Sequence, residues 1–214
     1  MNKIELCHVL PSVFANRNDI LSDVWLKDVA LEKGRFYLVE ANSGTGKSSL
    51  CSFIYGYRQD YLGEIRFDGA ACRSFTTTQW VELRRRHIAM LWQDLRLFPE
   101  LTAWENVQVK NRLTGFQAAR QLDEWFEQLG IADKKDALIG RMSFGQQQRV
   151  ALVRTLCQPF DFMFADEPIS HLDEQNAEIM GRIITAEARR QGAAVITTSI
   201  GKHIDLGYDQ VLRL

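Results

Sequence analysis

The chain has 214 residues, 46% of them hydrophobic and 25% charged, with a formal net charge of -1 at pH 7. That composition is globular and long enough for one large core, and its near-neutral balance offers no general attraction to nucleic acid. The start Met1-Asn2-Lys3-Ile4-Glu5-Leu6 has no long apolar stretch behind a basic start, so no secretory leader is expected, and the apolar runs near Phe162 and Val195 are far too short to span a bilayer.

In chain order, residues 4–9 and 25–31 alternate apolar and polar side chains between turn residues, as half-buried antiparallel strands do. Residues 36–39 form a continuous apolar run, the pattern of a strand covered on both faces. The glycine-rich segment Ala41-Asn42-Ser43-Gly44-Thr45-Gly46-Lys47-Ser48 follows at once, and residues 48–55, beginning with Ser48 and Ser49, have the apolar spacing of a helix. A third alternating stretch, residues 64–68, completes a small antiparallel sheet. The basic run Arg84-Arg85-Arg86 fits a helix C-terminus. A second continuous apolar strand is expected over residues 88–92. Thr102-Ala103-Trp104-Glu105 is a capping-box start, and Phe116, Ala119, Leu122, Trp125, Phe126 and Leu129 recur at helical spacing before Gly130. Ser143 is placed to cap a helix running through residues 150–156. Further buried strands are expected over residues 160–164 and 193–198. Cys7, Cys51, Cys72 and Cys157 lack metal-ligand spacing and suit a reducing cytoplasm.

Three segments carry chemistry. A strand, a glycine-rich turn and a helix N-terminus place successive backbone N–H groups around a polyanion. Lys47 would reach the β- and γ-phosphates and the Ser48 hydroxyl would bind Mg²⁺. Ala41 stands where the pattern has its first glycine, which requires a negative φ there. Phe162-Met163-Phe164-Ala165 delivers two adjacent carboxylates at a strand's C-terminal end: Asp166 for the Mg²⁺ shell, Glu167 as general base for an attacking water. Ser143-Phe144-Gly145-Gln146 opens another helix N-terminus suited to an anion.

Taken together these segments resemble the ATP-binding-cassette family along essentially the whole chain. The likeness covers Phe14 as an adenine-stacking aromatic, residues 41–48 as the phosphate loop, and Gln93 as the glutamine near the metal. It also covers residues 142–146 as the signature, Asp166-Glu167, and Ser170-His171-Leu172-Asp173 as the loop that follows. The resemblance implies an α/β fold of the P-loop NTPase type over residues 1–214, with a small antiparallel β subdomain and a helical subdomain at about 95–158. It implies ATP and Mg²⁺ as cofactors and a head-to-tail homodimer in which Ser143, Gly145 and Gln146 meet the ATP held by the partner. Phe144 must then point away from the nucleotide.

Gln93-Asp94-Leu95-Arg96-Leu97-Phe98-Pro99 and the residues after it are similar to the ATPase subunits of Lol-type lipoprotein-releasing, macrolide-export and cell-division systems. That implies a separate transmembrane permease, docking near Trp92, Arg96, Phe98 and Leu101, and a cytoplasmic location at the inner face of the membrane, with no nucleic acid partner. Trp104 and Trp125 are expected to pack the helical subdomain. No appended regulatory domain is expected after Leu214. One position departs from the family: after residues 195–198 the switch histidine is replaced by Ser199, an uncharged and shorter group, which would slow hydrolysis and leaves an ATP-dependent dimerising module as the alternative function.

Overall fold

The structure, a computed structural model, describes every residue except Asn18. β1 (Lys3–Pro11) runs antiparallel to both β2 (Asp28–Glu32) and β4 (Tyr61–Phe67), and the short β5 (Ala70–Ala71) extends this sheet to the order β2-β1-β4-β5. The second sheet is parallel and holds the site. β3 (Phe36–Glu40) leads into α1 (Lys47–Ile54). α2 (Thr77–Arg86) precedes β6 (Ile88–Leu91). α3 (Ala103–Thr114), α4 (Ala119–Gln128) and α5 (Phe144–Thr155) come before β7 (Phe162–Asp166). α6 (Glu174–Gln191), β8 (Ala194–Ser199) and β9 (Gln210–Arg213) complete the order β6-β7-β8-β3-β9.

Because side chains alternate along a strand, the parallel sheet divides the core in two. Met163, Ala165, Val195, Ala89 and Leu91 face α5, α6 and the helical segment, where Leu122, Trp125 and Phe126 are buried. Phe162, Phe164, Ala194, Ile196, Tyr37 and Val39 face α1 and the antiparallel sheet. Both faces are covered, which is why these strands read as continuous apolar runs. Trp125 is buried in the first core, and Trp104 meets Phe126 edge-on with ring centroids 5.8 Å apart.

Several boundaries differ from the sequence reading. The run at residues 160–164 becomes a strand two residues later, because the Phe160 backbone N–H bonds to the Gln191 side chain at 2.8 Å while the chain is still turning. Asp166 is therefore the last residue of β7 and Glu167 the first beyond it. Residues 25–27 are not strand: Leu26 sits at φ 60, and Trp25 turns its indole under the phosphate loop. Trp92 falls just past β6. α4 starts at Ala119, leaving Phe116 outside with the Arg190 guanidinium 5.2 Å above its ring. α6 and β9 were not anticipated.

Candidate functional site

The C-terminal ends of β3, β7 and β8 lie side by side, with Asp166 opposite Thr198 and Glu40 opposite Ser199. Ligands sit at this edge of open α/β sheets. Here a cavity of about 550 Å³ is lined by Phe14, Ser43, Gly44, Gly46, Lys47, Ser48, Ser49, Gln93, Glu167, Val13, Arg58 and Ile200.

The loop from Ala41 to Gly46 is shaped by what lies beneath it. The Trp25 indole N–H donates to the Thr45 carbonyl at 2.9 Å, and a Cβ on Gly46 would lie 3.0 Å from the Trp25 ring. Gly46, at φ 103, therefore needs glycine for both its conformation and its space. Ala41 is not among the non-glycine residues at positive φ, so the loop accommodates it, and its N–H donates to the Ser199 carbonyl at 3.1 Å. Asn42 supplies a carbonyl that accepts from the Thr45 hydroxyl at 2.9 Å and from Lys47 Nζ at 3.1 Å.

Lys47, the first residue of α1, is buried with Nζ 3.5 Å from Glu167 Oε1. Gln93 Nε2 donates to Glu167 Oε2 at 3.2 Å. Ser48 Oγ donates to Asp166 Oδ2 at 2.8 Å. The fold thus gathers Lys47, Ser48, Gln93, Asp166 and Glu167, five residues from three separate parts of the chain. The nearby Cys51 thiol is pushed well above its ordinary pKa by burial and by the Asp166 charge, so it stays a neutral neighbour.

The donor set fits Mg²⁺. Ser48, Asp166 and Gln93 offer only hard oxygen ligands, and no group of three or more His, Cys, Asp or Glu suited to a metal occurs among the described residues. One or two carboxylates, here Asp166, completed by phosphate oxygens and water is the usual arrangement for this ion.

Other expected site residues lie elsewhere. Ser143, Gly145 and Gln146 do not line the cavity. Ser143 caps α5, accepting from the Gln146 N–H at 3.3 Å, while the Gln146 side chain accepts from the Ser143 N–H at 3.0 Å. Phe144 turns its ring onto His171, centroids 4.4 Å apart. A Cβ on Gly145 would come within 3.2 Å of Leu172. Asp173 caps α6 through the Asn176 N–H, and Asn176 in turn accepts from Arg149 at 2.6 Å, tying that loop to the signature helix. Phe14 lines the cavity but is buried, with the Arg17 guanidinium 4.6 Å over its ring; the exposed neighbour is Val13.

Ser199 does not face the cavity. It is 2% exposed, within β8, and its hydroxyl donates to the Lys202 carbonyl at 2.6 Å. The next residue, Ile200, is 46% exposed and lines the cavity beside Glu167. One step beyond the strand reverses the side-chain direction, so the position facing the site is Ile200. Neither His171 nor His203 lines the cavity. Sequence reasoning also missed Trp25, read as strand, and Thr198, whose only signal was a polar residue in an apolar run.

The ABC transporter family profile matches residues 27–170. The chain belongs to the ABC transporter family. It is an ATP-binding subunit of that family, whose members are generally ATP hydrolases. It is 29% identical over 216 residues to the uncharacterized ABC transporter ATP-binding protein YbbA of Escherichia coli (strain K12), covering all of this chain and 94% of that one. It is 28% identical over 204 residues to the lipoprotein-releasing system ATP-binding protein LolD 1 of Rhodospirillum rubrum, covering 94% and 90% of the two chains. A dimeric bacterial ABC transporter cassette, MJ0796, superposes with a TM-score of 0.77 at 23% identity, over 92% of this chain and 87% of that one. The fold is that of an ABC ATPase cassette.

Proposed function

We propose that the chain hydrolyses ATP to drive a separate membrane subunit in export or extraction, in the manner of lipoprotein-releasing and macrolide-export systems. The observation that carries this reading is the Glu167 carboxylate, held between Lys47 and Gln93 at the mouth of the phosphate loop. Lys47 holds the β- and γ-phosphates, and the loop N–H groups from Ser43 to Ser49 cradle the rest. Ser48, Asp166 and Gln93 would hold Mg²⁺, which would supply neutralisation of phosphate charge. Glu167 accepts the proton of the attacking water. The base lies at Phe14 with Arg17.

Ser143, Gly145 and Gln146 bind the ATP of a second copy, completing a head-to-tail homodimer. That none of them lines this chain's own cavity supports that reading, as does the dimeric form of MJ0796. No helix among the described residues is long and apolar enough to cross a membrane, which accords with attachment at its inner, cytoplasmic face through the membrane subunit. No nucleic acid partner is proposed.

Ile200 favours a slow cycle. An aliphatic side chain beside Glu167 gives neither charge nor hydrogen bond to the γ-phosphate, and one absent electrostatic contact commonly costs about 10²- to 10³-fold in rate. A dimerising module with little turnover is the second reading. Light scattering of Glu167→Gln with MgATP tests the dimer: a species of twice the chain mass is expected, and a monomer at saturating ATP contradicts it. Hydrolysis by Ile200→His separates the two readings. Increased turnover is expected of an ATPase, whereas no turnover before or after the change favours the module.

A further inference from the structure

We infer that Thr198 is a positioning residue that sets both carboxylates of the site through one hydroxyl group, an inference that rests on the hydrolytic reading above. A threonine hydroxyl has one proton and two acceptor lone pairs. Here the proton goes to Asp166 Oδ1 at 2.5 Å, and a lone pair accepts the Glu167 N–H at 3.1 Å. Thr198 is 1% exposed, directly opposite Asp166 in the parallel register, so no solvent competes for either bond.

Each bond has a separate consequence. With Oδ1 taken by Thr198 and Oδ2 by Ser48, the Asp166 carboxylate is fixed in rotation, and Oδ2 is turned toward the first turn of α1. The second bond fastens the Glu167 peptide. Glu167 has φ 47, a conformation that a residue with a side chain seldom adopts without support. That conformation directs its carboxylate toward Lys47 and Gln93. The neighbouring Thr197 cannot substitute, because its hydroxyl lies on the opposite face of β8 and donates to Tyr208 at 2.7 Å. Thr198 does not line the cavity; it acts through Asp166 and Glu167.

Thr198→Val keeps the shape and removes both hydrogen bonds, whereas Thr198→Ser keeps the hydroxyl. The test is ATP binding by calorimetry in EDTA and in rising Mg²⁺, together with kcat and KM, for the full chain and both variants. Groups that orient a metal site typically account for about 10- to 100-fold in metal affinity or activity. Thr198→Val is expected to lose that factor in kcat and in the Mg²⁺-dependent gain in ATP affinity, leaving Mg²⁺-free ATP affinity nearly unchanged. Thr198→Ser is expected to restore both.

A Thr198→Val chain whose Mg²⁺ response and kcat equal the native values overturns the inference, and so does a Thr198→Ser chain as impaired as the valine variant. Should the valine chain not fold, Thr198→Cys, a weaker hydrogen-bond former, is expected to show the same loss; a native response from it overturns the inference. Absence of turnover in the native chain would instead remove the hydrolytic reading, and the Mg²⁺ titration would still report on Thr198.

Discussion

Lys47 already has two oxygen partners before any phosphate arrives, the Asn42 carbonyl and the Glu167 carboxylate. On the proposed reading, a phosphate bound at Lys47 would take the place of these contacts and release Glu167 from its ammonium partner. Hydrogen bonds to charged groups contribute about 1.5–3 kcal/mol each, so Lys47→Ala is expected to lower ATP affinity roughly 10- to 100-fold in a calorimetric titration. Undiminished affinity would remove Lys47 from the phosphate contact. At Gly46, the positive φ and the nearby Trp25 ring make Gly46→Ala strained. A loss of about 1–3 kcal/mol in unfolding stability is expected; an unaltered melting curve would contradict the tight seat on Trp25.

The contiguous motifs, residues 41–48 and Asp166-Glu167, were readable because a phosphate loop and a strand-end carboxylate pair have fixed local patterns. Ser199, read as standing at the histidine position, turns its hydroxyl to the Lys202 carbonyl while Ile200 lines the cavity, for a geometric reason. Alternation along β8 reverses the face at every residue, and the strand runs one residue further than its apolar run suggests. Ser199→His would push an imidazole against the buried end of β8 without raising turnover, unlike Ile200→His.

At the scale of elements, caps decide where the functional helices begin. Thr76, Thr102 and Ser143 each make a reciprocal capping box with the residue three positions on, and the last of these places the signature at the start of α5. Ser143→Ala removes the cap at a cost of about 1 kcal/mol, and it also removes a hydroxyl proposed to meet the partner's ATP. The expected result is a small fall in melting temperature with a larger loss of ATP-dependent dimer in Glu167→Gln; equal dimer with and without the hydroxyl would confine Ser143 to capping.

α6 escaped the sequence reading because its 18 residues bury only a narrow stripe, with Met180, Ile183, Ile184 and Ala188 set among charged neighbours. Its buried Glu187 is satisfied by Gln117, Arg190 and Gln191, a pairing only the folded chain supplies. β9 is four residues long with Leu212 alone buried, so its pairing with β3, not its pattern, makes it a strand.

Across the whole molecule, Asp161 joins distant parts of the chain just before β7. Its carboxylate accepts from the Met1 ammonium group at 2.7 Å, from His87 Nδ1 at 2.6 Å and from Lys33. Burial alone would raise its pKa, but these three partners outweigh burial and hold it below the ordinary carboxylate value. A depressed folded pKa means the ionised form is favoured by folding. The stabilisation is thus complete above the unfolded value of about 3.9 and fades as pH falls through it toward the folded one. Asp161→Asn is expected to lose on the order of 1–3 kcal/mol at neutral pH, with the gap to the native chain closing below about pH 4. A gap that does not vary with pH would rule out the ion-pair account.

The central claim is that Glu167, held by Lys47 and Gln93, is the base of an ATP hydrolase. Steady-state MgATP hydrolysis by the native chain and by Glu167→Gln, at matched ATP occupancy, tests it most directly. A slow native rate that falls by at least about 100-fold in the variant, with ATP still bound, is the expected result. Equal rates in the two proteins would contradict it.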